Sequence, residues 1–209
     1  GNPTVLQFAG AMSVVCWMQA DASDGRRFIS KQDGASDRGW SLNDGTTTVG
    51  PYFQVAPNSG SLTFAQVAQA FSSNIWRHVA GTFNPSATLN IYVDGVTASS
   101  GGMPATHYNS TQNVNFGRRP DAILYFDGRL AYCSAYNRTL TTQELDQLRW
   151  FPGSIPRGLV GFWPLYGQSP EGDYSDQENP GTVTGAPVSA QQPPINGVGV
   201  NPTPGGVGN

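Results

Sequence analysis

The sequence has few charges, two cysteines and no long apolar run. Charged residues make up 12% of the 209-residue chain, with 11 Lys+Arg against 14 Asp+Glu and a net charge of −3, whereas globular proteins average about 25%. Because a basic surface is the main electrostatic signature of nucleic-acid binding, this balance predicts no nucleic-acid partner. No apolar run approaches the roughly 20 residues that cross a bilayer, so we expect no membrane span.

Acid–base residues are also scarce. The chain has three glutamates (Glu144, Glu171 and Glu178) and two histidines (His78 and His107). Glycoside hydrolysis needs two carboxyl groups flanking the bond, and no predicted strand carries alternating acids. No G-x-S-x-G nucleophile motif is present. We therefore expect no catalytic residue and no enzyme activity, and we expect His78 to be a solvent-facing strand residue.

The two cysteines, Cys16 and Cys133, are too few for a disulfide scaffold or a cysteine-rich metal site. Both fall at apolar positions of predicted strands, and free cysteine is among the most buried residue types. We expect both to be buried, unbonded small hydrophobes, with a disulfide or a ligand pair as the alternatives.

Glycine and proline are abundant, with 26 and 16 residues or about one fifth of the chain, against about 12% in average proteins. Much of this excess lies in turns between short apolar or alternating stretches. Such stretches, repeated every 8–12 residues or so, are typical of a β-sandwich or barrel. The predicted strands are 12–20, a strand that begins at 28, 39–43, 52–56, 75–83, 89–96, 114–119, 127–137 and 158–167. Within 89–96, Asp94-Gly95 is a hairpin-turn dipeptide and predicts a tight turn, because glycine tolerates a positive φ.

Two stretches have helical features. Residues 62–71 fit either an amphipathic helix or an alternating strand, and the pattern leaves both open. Residues 141–149 are clearer, because Thr141 and Glu144 have the spacing of a capping box. We predict one short helix there, with Leu145 and Leu148 facing inward.

From residue 168 onward the chain has few large apolar residues and is rich in Gly, Pro, Asn and Gln. This composition cannot bury enough surface to offset its ordering entropy alone. An ordered arm of this kind must be held by its own domain or by a neighbouring copy. We predict two parts, a folded domain over 1–167 and an extended C-terminal arm over 168–209.

Seven strings occur together in a characteristic order: SVVCW (13–17), RRFISK (26–31), GWSL (39–42), IWRHVAGTFN (75–84), LNIYVDG (89–95), FGRR (116–119) and FDGRLAYCSAYNRTLTTQELDQL (126–148). With these strings the chain resembles the laminin-G-like, concanavalin-A-like lectin jelly rolls, a group that includes pentraxins and modules of tailed-phage structural proteins. The resemblance covers about residues 12–150. It implies an all-β sandwich of two antiparallel sheets.

The chain departs from the pattern of these relatives in two places. A pentraxin-type disulfide would join the position of Cys16 to one near Val79 or Ala80, and neither is cysteine. Family members usually have an extra strand before the segment that matches 13–17. The strand near 158–167, or a neighbouring molecule, would take its place.

Aromatic residues near the predicted turns are the candidate binding residues. Sugar binding needs aromatic rings that stack on a pyranose face, and Trp40, Tyr52 and Tyr108 are the candidates, with Trp150 and Tyr174 also near turns. The alternative for Trp40 and Tyr52 is packing inside the sandwich.

The sequence predicts no cofactor, with calcium as the alternative, because many lectin-like jelly rolls bind it in loops. Asp33, Asp37 and Asp44 are the candidate ligands, although aspartate is also common in ordinary turns.

Two functional hypotheses result. The first is a non-enzymatic structural or assembly protein, a capsid decoration (cement) protein on the surface of a phage virion. Its C-terminal arm would contact other copies of the chain and neighbouring coat subunits. The second is a carbohydrate-binding adhesin module, with glycan partners, on a virion or an extracellular cell surface.

Overall fold

The computed structural model describes residues 3–22, 25–34, 38–46, 50–56, 63–66, 74–186 and 191–195. In these ranges a 3₁₀ turn at Thr4–Leu6 precedes eleven strands and one helix. In chain order they are β1 Met12–Ala20, β2 Arg27–Ser30, β3 Trp40–Asn43, β4 Tyr52–Val55, β5 Thr63–Gln66, β6 Trp76–Asn84, β7 Thr88–Val93, β8 Val96–Gly101, β9 Asn115–Phe116, β10 Gly128–Tyr136, α1 Thr142–Trp150 and β11 Leu159–Trp163.

The strands form two antiparallel sheets, which confirms the predicted jelly-roll sandwich. The six-stranded sheet has the order β11-β10-β1-β6-β7-β8, and the five-stranded sheet has the order β5-β4-β3-β2-β9. Strand β11 occupies the edge beside β10. No helix in the described ranges is long and apolar enough to cross a bilayer.

Most predicted strands are confirmed, and two stretches are refined. The open stretch 62–71 contains strand β5 at Thr63–Gln66, and residues 67–71 lie outside the described part. The predicted turn at Asp94-Gly95 is confirmed, but a strand that the sequence prediction did not include, β8, follows it. Positive φ angles at both turn residues fit the preference of Asp-Gly for tight hairpins.

The core between the sheets is closely packed around a glycine. Phe53 of β4 and Val79 of β6 are fully buried in it. A Cβ on Gly81 of β6 would collide with the ring of Phe53. The missing side chain at position 81 therefore lets an aromatic ring of one sheet rest on the backbone of the other.

Helix α1 covers the outer face of the six-stranded sheet. Its predicted capping box is confirmed, because Thr141 Oγ1 accepts from the Glu144 N–H and the Glu144 carboxylate accepts from the Thr141 N–H. The predicted inward residues Leu145 and Leu148 are buried in a second apolar cluster, which also contains Tyr92. The six-stranded sheet is therefore apolar on both faces at this point.

The prediction that His78 faces solvent is wrong. Its side chain is buried between the rings of Trp17 and Tyr92, with centroids 5.4 and 5.7 Å away. Alternation along β6 does place it on the outer face, but α1 covers that face. Burial, together with the positive charge of nearby Arg149, lowers the pKa of His78 to about 3.

The prediction that the cysteines are unbonded is also wrong, because Cys16 and Cys133 form a disulfide. Cys16 faces Val79 on β6, as the resemblance implies, but its sulfur bonds to β10 on the other side of β1. A register shift between Val15 and Trp17 interrupts the β1–β10 pairing there and brings the two cysteines together. Strand pairing over this distance is not visible in the local sequence.

We expect Gly81→Ala to lower the free energy of unfolding by about 1–3 kcal/mol, because the new methyl group overpacks the core. Urea denaturation measures the change. Adding Phe53→Leu replaces the ring with a smaller side chain and makes room for the new methyl group. The double variant is therefore expected to lose less unfolding free energy than the sum of the losses of the two single variants. Gly101→Ala is the control, since its Cβ meets nothing within 4 Å. Equal losses in the two alanine variants would contradict the packing argument.

We expect the double variant Cys16→Ala/Cys133→Ala to lose about 2–5 kcal/mol of unfolding free energy relative to the oxidised protein. The reason is that the disulfide closes a loop with a sequence separation of 117 residues, which restricts the unfolded chain. Urea denaturation with and without reductant measures this effect. Reductant is expected to destabilise the wild type and leave the variant unchanged; an equal response in both would contradict the prediction.

Stability is expected to fall as the pH drops from about 6.5 to 4.5. The pKa of His78 is lowered to about 3, and burial lowers that of His107 to about 4. Between these values and 6.5 the unfolded chain binds protons that the folded chain does not. Each histidine then contributes a slope of up to about 1.4 kcal/mol per pH unit.

Chemical denaturation at a series of pH values measures this slope. The variant His78→Phe keeps an aromatic ring in the site and removes one titrating group, so its slope is expected to be about half that of the wild type. A wild-type stability that is constant between pH 6.5 and 4.5 would show that the two histidines do not control it.

Candidate functional site

The structure does not bring the three predicted aromatic residues together. Trp40 is 1% exposed and packs near Phe8, with ring centroids 6.5 Å apart. It has no exposed face for a ligand, so the alternative of packing inside the sandwich is correct for this residue. Tyr52 is half-buried on the opposite face of the same sheet, where Arg27 donates to its hydroxyl. Tyr108 lies in a separate loop, with Arg38 over its ring at 4.3 Å.

The predicted calcium ligands are not gathered either. Asp33 forms an ion pair with Arg38 at 3.2 Å, near the end of β2. Asp44 is buried just after β3, at the opposite end of the antiparallel β2–β3 pair. Asp37 lies outside the described residues. Where the structure describes the chain, no three acidic, histidine or cysteine side chains are grouped as metal ligands; calcium binding therefore stays a prediction.

A well-ordered loop instead follows the last strand. The 166–181 loop begins after β11 and covers its free edge. The Phe162 N–H donates to Asp173 Oδ1 at 2.8 Å, and the Tyr174 N–H donates to the Phe162 carbonyl at 2.8 Å. Residues 173 and 174 thus take the position that a neighbouring strand would occupy, which protects an otherwise exposed sheet edge.

Two carboxylates hold the shape of this loop. Asp173 accepts hydrogen bonds from the backbone N–H groups of Phe162, Ser175 and Asn179, all at 2.8–2.9 Å. Glu171 is 3% exposed and accepts from the N–H groups of Tyr166 and Gly167 at 2.9 and 3.0 Å. Their oxygens bind the chain itself, so the loop does not depend on an apolar core of its own for its order.

Two further contacts hold the 166–181 loop, one between its own residues and one to Trp163 of β11. Glu171 and Gly181 exchange two backbone hydrogen bonds of 2.8 Å. The indole N–H of Trp163 donates to the Asn179 carbonyl at 2.9 Å. The first part of the predicted C-terminal arm, residues 168–181, therefore binds its own domain.

The loop presents tyrosine side chains at the surface. Tyr166 and Tyr174 meet edge to face, with ring centroids 6.4 Å apart, and Tyr174 is 45% exposed. Burial, reinforced by Tyr132, Tyr174 and Glu171, raises the pKa of Tyr166 to about 12. Burial likewise raises the pKa of Tyr132. We call Tyr132, Tyr166 and Tyr174 the tyrosine cluster.

The tyrosine cluster combines an aromatic face with phenolic hydroxyl groups. Such a surface can stack on an apolar ring face and donate or accept hydrogen bonds at its edge. The sequence indicates Tyr174 as an aromatic residue near a turn, but no local pattern distinguishes Tyr132 and Tyr166. A local signal for the loop was present in the string DYSDQEN, because aspartate and serine side chains readily bind nearby backbone N–H groups.

Comparison with solved structures gives the same fold at low sequence identity. A candidate carbohydrate-binding protein from Bacteroides ovatus matches with a TM-score of 0.68 and 20% identity, over 91% of this chain and 58% of that one. The SAP-like pentraxin of Limulus polyphemus matches with a TM-score of 0.59 and 16% identity, over 85% and 86% of the two chains. The binding domain of botulinum neurotoxin serotype G matches with a TM-score of 0.52 and 15% identity, over 71% of this chain and 37% of that one.

These likenesses establish the fold and nothing beyond it. This chain spans 58% of the length of the Bacteroides protein. No curated protein matches the sequence. The family model of the concanavalin A-like lectin/glucanases superfamily matches residues 2–146, which is more than half of the chain. The strand order, the capped helix and this match agree, and the chain belongs to the concanavalin A-like lectin/glucanases superfamily.

Proposed function

We propose that this chain is a non-enzymatic carbohydrate-binding module and that the tyrosine cluster is its contact surface. The observation that carries the proposal is an exposed tyrosine, Tyr174, packed edge to face on a second ring in a loop held by the carboxylates of Glu171 and Asp173. Lectin-like relatives, among them the candidate carbohydrate-binding protein from Bacteroides ovatus, support the choice of ligand class.

A saccharide fits the chemistry of this surface. Its ring has a face of C–H groups and an edge of hydroxyls, which match an aromatic face and phenolic hydroxyls. The carboxylate of Glu171 is buried and accepts hydrogen bonds from backbone N–H groups. Its negative charge therefore does not require a cationic ligand. A neutral, polar ligand is therefore favoured over an ion.

Rigidity favours binding as well. Tyrosine provides a large contact area with few rotatable bonds. The hydrogen bonds from Phe162, Ser175 and Asn179 to Asp173 hold the loop before any ligand arrives. Less ordering entropy is then lost on binding, and more of the contact energy appears as affinity.

We include the absence of hydrolase activity in the proposal because two of the three glutamates have other roles. Glu144 is paired with Arg138 at 2.7 Å and caps α1. Glu171 is bound to the backbone of its loop. A glycosidase needs a pair of carboxyl groups facing one bond, and these two are engaged in holding the fold.

An extracellular or cell-surface location is part of the proposal. The Cys16–Cys133 disulfide supports it, since structural disulfides form and persist mainly in oxidising compartments. The sequence-based role of a capsid decoration protein stays a prediction. Because residues 168–181 bind their own domain, a C-terminal arm that reaches other copies or coat subunits would have to come from residues beyond them.

A glycan array, followed by calorimetry with the best ligand, tests the proposal on the full chain. Tyr174→Ala is expected to weaken binding about tenfold or more, the effect of removing one central aromatic contact. Tyr174→Phe keeps the ring and is expected to retain most of the affinity. Tyr125→Ala is the matched control, because Tyr125 is 55% exposed and lies outside the tyrosine cluster.

Two results would contradict the proposal. One is an array with no bound glycan. The other is a glycan whose affinity is the same for the wild type and Tyr174→Ala, which would place the contact surface elsewhere on the domain.

A further inference from the structure

A small groove lies on the outer face of the six-stranded sheet, beside α1. It has a volume of about 220 Å³ and lies over β6, β7 and β8. Its floor is buried and consists of Thr82, Tyr92, Leu140 and Leu145. Pockets for drug-sized ligands measure about 300–1,000 Å³, so this groove has room for a ligand of about one ring.

The rim of the groove is made of hydroxyl and amide groups. Asn90 Nδ2 donates to Thr82 Oγ1 at 3.0 Å, and Ser99 Oγ donates to Asn90 Oδ1 at 2.6 Å. These bonds fix the Asn90 amide and leave the lone pairs of Ser99 free to accept. Thr97 and Thr142 are exposed, and their hydroxyls make no side-chain hydrogen bond within the described ranges. The rim thus offers donors and acceptors that the fold does not use.

No charged side chain lines the groove among the described residues. The carboxylate of Asp146 accepts a hydrogen bond from the Tyr92 hydroxyl at 3.0 Å. Glu144, on the same helix, is paired with Arg138. A lining of this kind has no cation to hold a phosphate or carboxylate and no anion aimed at an amine.

We propose that this groove is a binding site for a neutral, polyhydroxylated ligand of one-ring size, such as a monosaccharide or the end of a glycan. Leu140 and Leu145 contact the apolar part of the ligand. The hydroxyls of Thr97, Ser99 and Thr142 bind its hydroxyl groups. The site is separate from the tyrosine cluster, and the proposal does not depend on the function of that cluster.

Nuclear magnetic resonance on the full chain tests the site directly. Backbone amide signals are followed while D-glucose, D-galactose, D-mannose and N-acetyl-D-glucosamine are added in turn, up to about 0.1 M, which covers millimolar affinities. D-Glucose 6-phosphate is the charged comparison. We expect saturable shifts at Ser99 and Thr142 with at least one neutral sugar, and smaller shifts with the phosphate ester.

The double variant Thr97→Val/Thr142→Val removes two hydroxyls and keeps the side-chain shape. It is expected to bind the same sugar about tenfold more weakly, the effect of two lost hydrogen bonds. Thr106→Val is the matched control, because Thr106 is exposed and lies in another loop. Shifts at Ser99 and Thr142 report binding in the groove, whereas shifts in the 166–181 loop report binding at the tyrosine cluster, so the two sites are distinguished by where the signals move.

Several results would overturn the proposal. They are no shift with any neutral sugar, shifts confined to the 166–181 loop, or equal affinity in the wild type and the double valine variant. Tighter binding of D-glucose 6-phosphate in the groove would overturn the choice of a neutral ligand. Because the shifts are measured on the wild type, the result does not depend on whether a variant folds.

Discussion

Strand β1 requires a covering layer on each of its faces, and much of the structure follows from that requirement. All nine of its residues are buried, and it lies inside the six-stranded sheet between β10 and β6. A strand with apolar side chains on both faces is stable only between two other layers. The five-stranded sheet supplies one layer. Helix α1 supplies the other, with Leu145 and Leu148 in the outer cluster.

Coverage on both faces also determines the chemistry of side chains near β1. His78 would titrate in the ordinary range on an open sheet, but under α1 its pKa is lowered to about 3. Helix α1 is also hydrogen-bonded to the β7–β8 turn, where Arg149 donates to the Asp94 carbonyl at 3.0 Å. On the other side of β1, the disulfide joins Cys16 to β10. Near β1, side chains that could react therefore serve the structure instead: the pKa of His78 is lowered under α1, and Cys16 is held in a disulfide.

The two surfaces proposed for binding lie where this coverage ends. At one edge of the six-stranded sheet, the 166–181 loop closes β11 and holds Tyr166 and Tyr174 at the surface. Toward the other edge, α1 leaves a groove over β7 and β8 that is rimmed by hydroxyls. In both places a rigid scaffold positions polar or aromatic groups that the fold does not fully use, which is the usual arrangement of binding residues on a stable framework.

The sequence by itself determined most of the strand pattern, the Asp94-Gly95 turn and the capped helix, because each depends on residues a few positions apart. Alternation along a strand shows which residues share a face but not what covers that face, so His78 was placed in solvent. The composition after residue 168 indicated an arm, yet Glu171 and Asp173 bind backbone N–H groups and order its first part. Only the tertiary structure decided the disulfide, the tyrosine cluster and the groove, because each joins segments that are distant in the chain.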